Sequence, residues 1–192
     1  MNFNPHYDLK GKHAFLGASK YAWIRYDDTK LADTYRNFLA TQRGTALHDF
    51  ACQSIRLGIR LPRNKKTLNM YVNDAIGYGM VPEQPLFYSK NCFGTADTIS
   101  NLDDVVRTKF LRIHDLKTGV TPASMDQLLV YVALFCLEYD FKPTDLHTEC
   151  RIYQLDDIQV CEPTPDDILL VMDKIVRFDK AINEINLNEG VF

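Results

Sequence analysis

The chain predicts a mixed α/β fold, a central sheet flanked by helices. Three features carry this expectation. Residues 29–40 and 43–57 repeat apolar side chains at helical spacing. The middle of the chain, about 86–90, 92–100 and 109–117, is rich in β-branched and aromatic residues bounded by turn formers. After it come a nearly all-apolar helical run, an alternating stretch at 147–155 and a closing amphipathic helix.

Taken in order, the second helix places Leu47, Ala51 and Ile55 on one face and stops at Gly58. Residues 59–66 form a basic loop with Arg60, Arg63, Lys65 and Lys66. Residues 67–77 read as a short helix closing in the Gly77–Gly79 region. Pro82 and Pro85 lead into the strands. The strands at 92–100 and 109–117 are joined by the turn-like Asn101-Leu102-Asp103-Asp104. Paired as a hairpin, they bring Asp97 toward Asp115. A helix is expected over 122–139, with Thr121 at its N-cap and Pro122 at its first position. Leu128 to Leu137 is apolar almost all round, so this helix is expected to be buried. Thr164-Pro165-Asp166-Asp167 opens a last helix running to about 186, its acidic first turn complementing the helix dipole.

A length of 192 residues suits a single domain, with a helical part at about 1–80 and a core at about 81–192. No apolar run approaches the roughly 18 residues that span a bilayer. Met1 to Lys12 is polar and lacks the apolar centre of a signal peptide. The expected location is the cytosol. Cys52, Cys92, Cys136, Cys150 and Cys161 are odd in number, and no two share a Cys-x-x-Cys spacing. That pattern argues against a disulfide framework, a zinc ribbon or a local iron–sulfur site. The net charge of −3 counts mildly against a nonspecific nucleic-acid binder. Local basic clusters (Arg60 to Lys66; Arg107, Lys109, Arg112) can still meet a phosphate backbone, or simply be solvated.

The chemistry concentrates in Ile113-His114-Asp115-Leu116-Lys117-Thr118-Gly119, preceded by Gly94-Thr95-Ala96-Asp97. A strand repeats its side-chain direction every second residue, so Asp115 and Lys117 share a face. A carboxylate beside an ammonium, with a second carboxylate one strand away, suits a divalent cation and hydrolysis of a phosphodiester. The same residues also fit a plain ion pair and a turn acid. His48 shares a helix face with Ala51, Cys52 and Ile55, where a histidine is usually part of a core.

In context, Asp97…Asp115-Leu116-Lys117 resembles the core of the PD-(D/E)XK nuclease superfamily, and within it the RecB-like branch. That branch includes exonuclease domains of recombination helicases, CRISPR adaptation nucleases and bacteriophage exonucleases. Arg43-Gly44-Thr45-Ala46-Leu47-His48 resembles its upstream helix, which implies that His48 is a metal ligand. Gln127-Leu128-Leu129-Val130-Tyr131 resembles its Gln-x-x-x-Tyr motif, whose i, i+4 spacing places both side chains on one helix face. Ser124-Met125-Asp126-Gln127 also reads as a capping box, in which Gln127 would serve the helix start. Ala18-Ser19-Lys20 resembles a segment that contacts DNA phosphate, and reads equally as a helix start at Ser19. Tyr21, Trp23 and Tyr26 nearby fit base stacking, or core or interface packing.

The resemblance covers about residues 43–155. It implies a restriction-endonuclease-like core and a Mg²⁺- or Mn²⁺-dependent deoxyribonuclease, more an exonuclease than an endonuclease. Asp97, Asp115 and Lys117 would be catalytic. His48, Asp97, Asp115 and the Leu116 carbonyl would hold the metal. Gln127, Tyr131, Ser19 and Lys20 would face or support DNA. No iron–sulfur cluster and no membrane partner are expected. The partner classes are DNA, a second copy of the chain, and a separate helicase or recombination protein. The competing reading is a catalytically idle nucleic-acid-binding or protein-interaction factor on the same fold.

Overall fold

Two prolines mark one edge of the sheet. Pro82 and Pro85 cannot donate to a ladder and are tolerated in β1 (Val81–Ser89) because that strand lies at the margin. The computed structural model describes residues 6–9 and 11–189. The remaining strands are β2 (Cys92–Ile99), β3 (Phe110–Leu116), β4 (His147–Gln154) and β5 (Asp157–Cys161). They form one sheet in the order β1-β2-β3-β4-β5, parallel between β3 and β4 and antiparallel elsewhere. With its flanking helices this is the α/β class that the sequence predicts. The helices are α1 (Asp28–Arg56), α2 (Thr67–Gly77), α3 (Leu102–Thr108), α4 (Asp126–Glu138) and α5 (Pro165–Glu189).

The sheet separates two apolar clusters. Leu111 and Ile113 of β3 pack with Leu128, Val132 and Phe135 of α4 and with Ile168 and Ile175 of α5. Leu116 and Tyr153 pack with Ala51 and Ile55 of α1 and Tyr71, Val72 and Ala75 of α2. Alternation along β3 thus feeds both layers, as period 2 requires. Both helices of the second layer end in the same way. Gly58 (φ +66°) and Gly79 (φ +63°) take the left-handed position. Bonds Ile59 N–H to Ser54 O and Met80 N–H to Ala75 O close the two Schellman caps.

By contacts the chain divides into residues 1–45 and 46–192. In the first unit, residues Tyr7–Leu9 and Ala18–Arg25 form 3₁₀ turns ahead of the start of α1. Phe15, Tyr35 and Phe38 cluster with ring centroids 4.9–5.9 Å apart. Among the described residues of this unit none is buried. The reading of Met1–Lys12 falls in part on residues 1–5 and 10, outside the described residues.

Several expectations about single elements are corrected. The two helices expected over 29–40 and 43–57 are one helix. Gly44 costs about 1 kcal/mol in a helix interior, too little to break a run without proline. Thr41 and Thr45 hydroxyls bond back to the Asn37 and Thr41 carbonyls across that stretch. The expected turn at 101–104 opens α3, because the Asn101 side chain accepts the Asp103 N–H as a helix cap. α4 starts at Asp126 rather than 122. Buried Gln154 takes the Gly119 and Thr121 carbonyls at 2.7 Å and the Ala123 N–H at 3.1 Å, holding that segment out of the helix. β5, not expected, follows a two-residue turn in which Leu155 and Asp156 both have positive φ without a glycine. Asp156 is held there by Thr67 N–H, Thr67 Oγ1 and Lys66 Nζ, and so caps α2.

Among the described residues, no helix is long and apolar enough to cross a membrane.

Candidate metal centre

The site begins where β2 and β3 part. Their register is Thr98↔His114 and Ile99↔Ile113, so Asp97 comes next opposite Asp115. There the ladder ends, and the Asp97 Oδ2 accepts the Leu116 N–H at 2.9 Å in place of a backbone carbonyl. β3 stays with β4 beyond this point, Lys117 N–H donating to Tyr153 O at 2.9 Å. The splay leaves two carboxylates at the end of the strands.

His48 of α1 joins them, its Nδ1 3.5 Å from Asp97 Oδ2. So does Glu83, a residue the motifs did not indicate. Glu83 lies in β1 between the pairs Pro82↔Thr98 and Gln84↔Ala96, hence across from Asp97. Its φ of +53° departs from the extended conformation in mid-strand. Ligand atoms of His48, Glu83 and Asp97 all lie within 4.8 Å of one another. The sequence signal for Glu83 is slight: an acid between two prolines, on a strand expected to begin only at 86.

Asp115 is almost fully buried, and Lys117 Nζ sits 2.9 Å from its Oδ2 and 3.1 Å from its Oδ1. The Oδ2 contact is an ion pair without hydrogen-bond geometry, so that oxygen is otherwise unpartnered. The same ammonium donates to Gln127 Oε1 at 2.8 Å. Gln127 Nε2 donates to the Tyr131 hydroxyl, which donates to the Thr95 carbonyl at 2.7 Å. Gln127 therefore serves Lys117 rather than the helix start; Ser124 Oγ accepts the Asp126 N–H there. Gly94 explains itself in the same chain of contacts. A Cβ at that position would come 2.9 Å from Tyr131 Cε1. Each residue of Gly94-Thr95-Ala96-Asp97 has a place: room for the tyrosine ring, its acceptor, a core methyl and the acid.

Burial, and next the neighbouring Asp115 carboxylate, raise the Asp97 carboxyl from 3.8 to about 6, against the lowering pull of the Leu116 N–H and His48. The half-buried Asp97 carboxylate, the His48 imidazole and the Glu83 carboxylate form a nitrogen-and-oxygen donor set, and Asp115, opposite Asp97 and paired with Lys117, is not among its three members. That set fits Mg²⁺ or Mn²⁺. Beside Lys117 lies a cleft of about 400 Å³, lined by Leu47, Leu68, Leu116, Thr118 and Gly119 among others.

Behind Asp115, on the opposite face of β3, His114 is fully buried with its Nε2 unpartnered. Burial, then Arg151 and Arg112, lower its pKa to about 3, which keeps the ring neutral. Ser19 and Lys20 are exposed in the first unit, in the Ala18–Arg25 segment, whose cap position is Gly17 rather than Ser19. Tyr21 is exposed, and Trp23 donates its Nε1–H to the Gly17 carbonyl.

No protein-family model, curated protein or solved structure matches the chain.

Proposed function

We propose that this protein is a divalent-cation-dependent deoxyribonuclease of the RecB-like branch of the PD-(D/E)XK superfamily. On this reading it is an exonuclease with a restriction-endonuclease-like core. It would act in DNA recombination, repair or phage DNA processing, in the cytosol of a bacterium or an infected host. The observation that carries the reading is one ammonium, Lys117, shared between the buried Asp115 carboxylate and Gln127. It stands beside the His48–Glu83–Asp97 donor set.

Asp97, Asp115, His48 and the Leu116 carbonyl would hold Mg²⁺ or Mn²⁺, with Glu83 as a further oxygen donor. A cation so held supplies charge neutralisation on the phosphate and acidifies bound water. The side chains do the rest. Lys117 orients the attacking water through its N–H donors and stabilises negative charge that develops on the phosphate oxygens. Gln127 and Tyr131 fix the direction of that ammonium from the first turns of α4. The cleft beside Lys117 gives the scissile strand a way to the centre. The first unit carries seven Lys and Arg against four Asp and Glu, a net +3 against −6 for residues 46–192. That asymmetry favours the phosphate backbone on the N-terminal side, where Ser19 and Lys20 would touch it.

The test is incubation with end-labelled linear, circular and single-stranded DNA, with Mn²⁺ and with chelator. Mononucleotides or short products from linear DNA, abolished by chelator, support the reading. Retarded bands with no product in either metal would turn it toward a nucleic-acid-binding protein.

A further inference from the structure

Residues 46–192 are acidic as a whole, yet one loop in them keeps its cations unneutralised. In the loop over 59–66, Lys66 pairs with Asp156. Among the described residues, Arg60, Arg63 and Lys65 pair with no carboxylate. The other basic cluster differs: Arg107 pairs with Asp104, and Arg112 with Glu149. Nor is the loop slack. Asn73 of α2 accepts the Leu61 N–H at 2.9 Å and donates to the Leu61 carbonyl at 3.0 Å. Asn69 donates to the Pro62 carbonyl at 2.9 Å, and the Asn64 side chain accepts the Lys66 N–H at 2.9 Å. Side chains of α2 thus supply the partners that loop backbone lacks, and the cations stand on a fixed support.

Between this loop and α2 lies a groove of about 420 Å³, with Arg60, Arg63, Asn64, Asn73 and Tyr78 in its walls. Asp74, the acid of the groove, is engaged by the Tyr153 hydroxyl at 2.7 Å and by Arg151 at 3.4 Å. Tyr78 brings further positive charge. Arg112 lies 4.4 Å and Arg151 5.2 Å from its ring centroid, and Arg151 donates to its hydroxyl at 3.1 Å. The groove and its rim therefore hold four guanidinium groups, Arg60, Arg63, Arg112 and Arg151, against the carboxylates of Asp74 and Glu149.

We infer that this groove is a phosphate-binding site outside the metal centre, and that its ligand is the sugar–phosphate backbone of DNA. The inference rests on the proposed reading of DNA as the substrate. Guanidinium groups meet phosphate oxygens with paired N–H donors. Held in place beforehand, they lose little freedom on binding. Arg60 and Arg63 are at most about 11 Å apart along the chain. That is the span of about three phosphates of one strand, at about 3.4 Å each. Tyr78 is five residues from Glu83, a reach of at most about 18 Å. The groove thus stands within about five base-pair steps of the metal centre.

Fluorescence anisotropy of a short labelled DNA duplex, titrated in chelator so that nothing is cut, tests this. The wild type should bind, and more weakly as salt rises. Arg60→Gln with Arg63→Gln should weaken binding by about tenfold or more and lower the salt slope by about two. Arg63→Gln alone, at a side chain that makes no described bond, should give part of the loss with native circular dichroism. Arg107→Gln, whose charge Asp104 already meets, should stay within about twofold of wild type. No affinity for the duplex at low salt would overturn the inference. So would a double variant that binds like wild type, an equal loss in Arg107→Gln, or stabilisation by inorganic phosphate with no DNA bound. Cleavage in Mn²⁺ is read separately. A chain that cuts DNA but ignores both substitutions loses the groove alone; one that binds through the groove yet cuts nothing loses the nuclease alone.

Discussion

Asp97→Asn should make the cation-free protein more stable while depriving it of its proposed chemistry. The folded state holds the Asp97 proton up to about 6, whereas the unfolded chain releases it near 3.8. Between those values the folded state binds more protons than the unfolded one. Raising the pH through that window therefore removes stability, and the loss is complete above about 6. At about 1.36 kcal/mol per pH unit the rise corresponds to about 3 kcal/mol. Asparagine removes the repulsion from Asp115 and can still accept the Leu116 N–H, but the amide must also be desolvated. The expected gain is about 1–3 kcal/mol near neutral pH. For a chain of this size that is a melting temperature higher by roughly 2–4 °C per kcal/mol. A divalent cation should reverse the order. At a hundredfold excess over its dissociation constant it stabilises the wild type by about 2.7 kcal/mol, and the variant by far less. Thermal melts in chelator and in Mn²⁺, at several pH values, read both effects. An Asp97→Asn protein less stable than wild type in chelator, or equally stabilised by Mn²⁺, would refute the argument.

Other outcomes follow from the same geometry. Lys117→Ala should lower cleavage of linear DNA by about 10²–10⁴-fold while circular dichroism stays native; turnover within a few-fold of wild type removes Lys117 from the mechanism. His48→Ala and Glu83→Gln should each weaken Mn²⁺ binding, measured by calorimetry, by at least about tenfold. An unchanged isotherm would show that the residue does not touch the ion. Gly94→Ala forces a Cβ to 2.9 Å from the Tyr131 ring. It should cost about 1–3 kcal/mol in urea unfolding and depress cleavage by turning Gln127 away from Lys117. A neutral Gly94→Ala would mean the ring moves freely.

The periodic elements were readable because their patterns were long. α5, α2, β3 and β4 stand close to where spacing put them, and the apolar run of α4 is largely buried, with Val130 exposed. What the sequence concealed was each place where one side chain replaces backbone pairing. Gln154 engages the Gly119 and Thr121 carbonyls and the Ala123 N–H, bonds that a helix beginning at 122 would not leave free. Asp156 binds α2 from eighty-nine residues away and so steadies a hairpin turn with no glycine signal. Local propensity cannot contain such long-range bonds. At the candidate centre, Asp115, Lys117 and Asp97 were legible from strand alternation and the hairpin order. Glu83 was not, since its position depends on one left-handed residue within a strand.

That residue explains why the acids gather here. A non-glycine residue in the left-handed region costs roughly 1–2 kcal/mol. Glu83 takes it in mid-strand, between two prolines on the sheet edge. One strand further in, β2 leaves β3, and Asp97 caps the vacant Leu116 N–H. Both irregularities occur at the same level of the sheet, across from each other. Regular pairing there would have left Asp97 a plain ladder position beside Asp115 and carried Glu83 along an ordinary extended strand. Strain retained at a site, together with an acid held near 6, is the pattern of a structure organised around something other than its own stability. A bound cation would offset the carboxylate repulsion, and Lys117 already neutralises the acid that lies deepest.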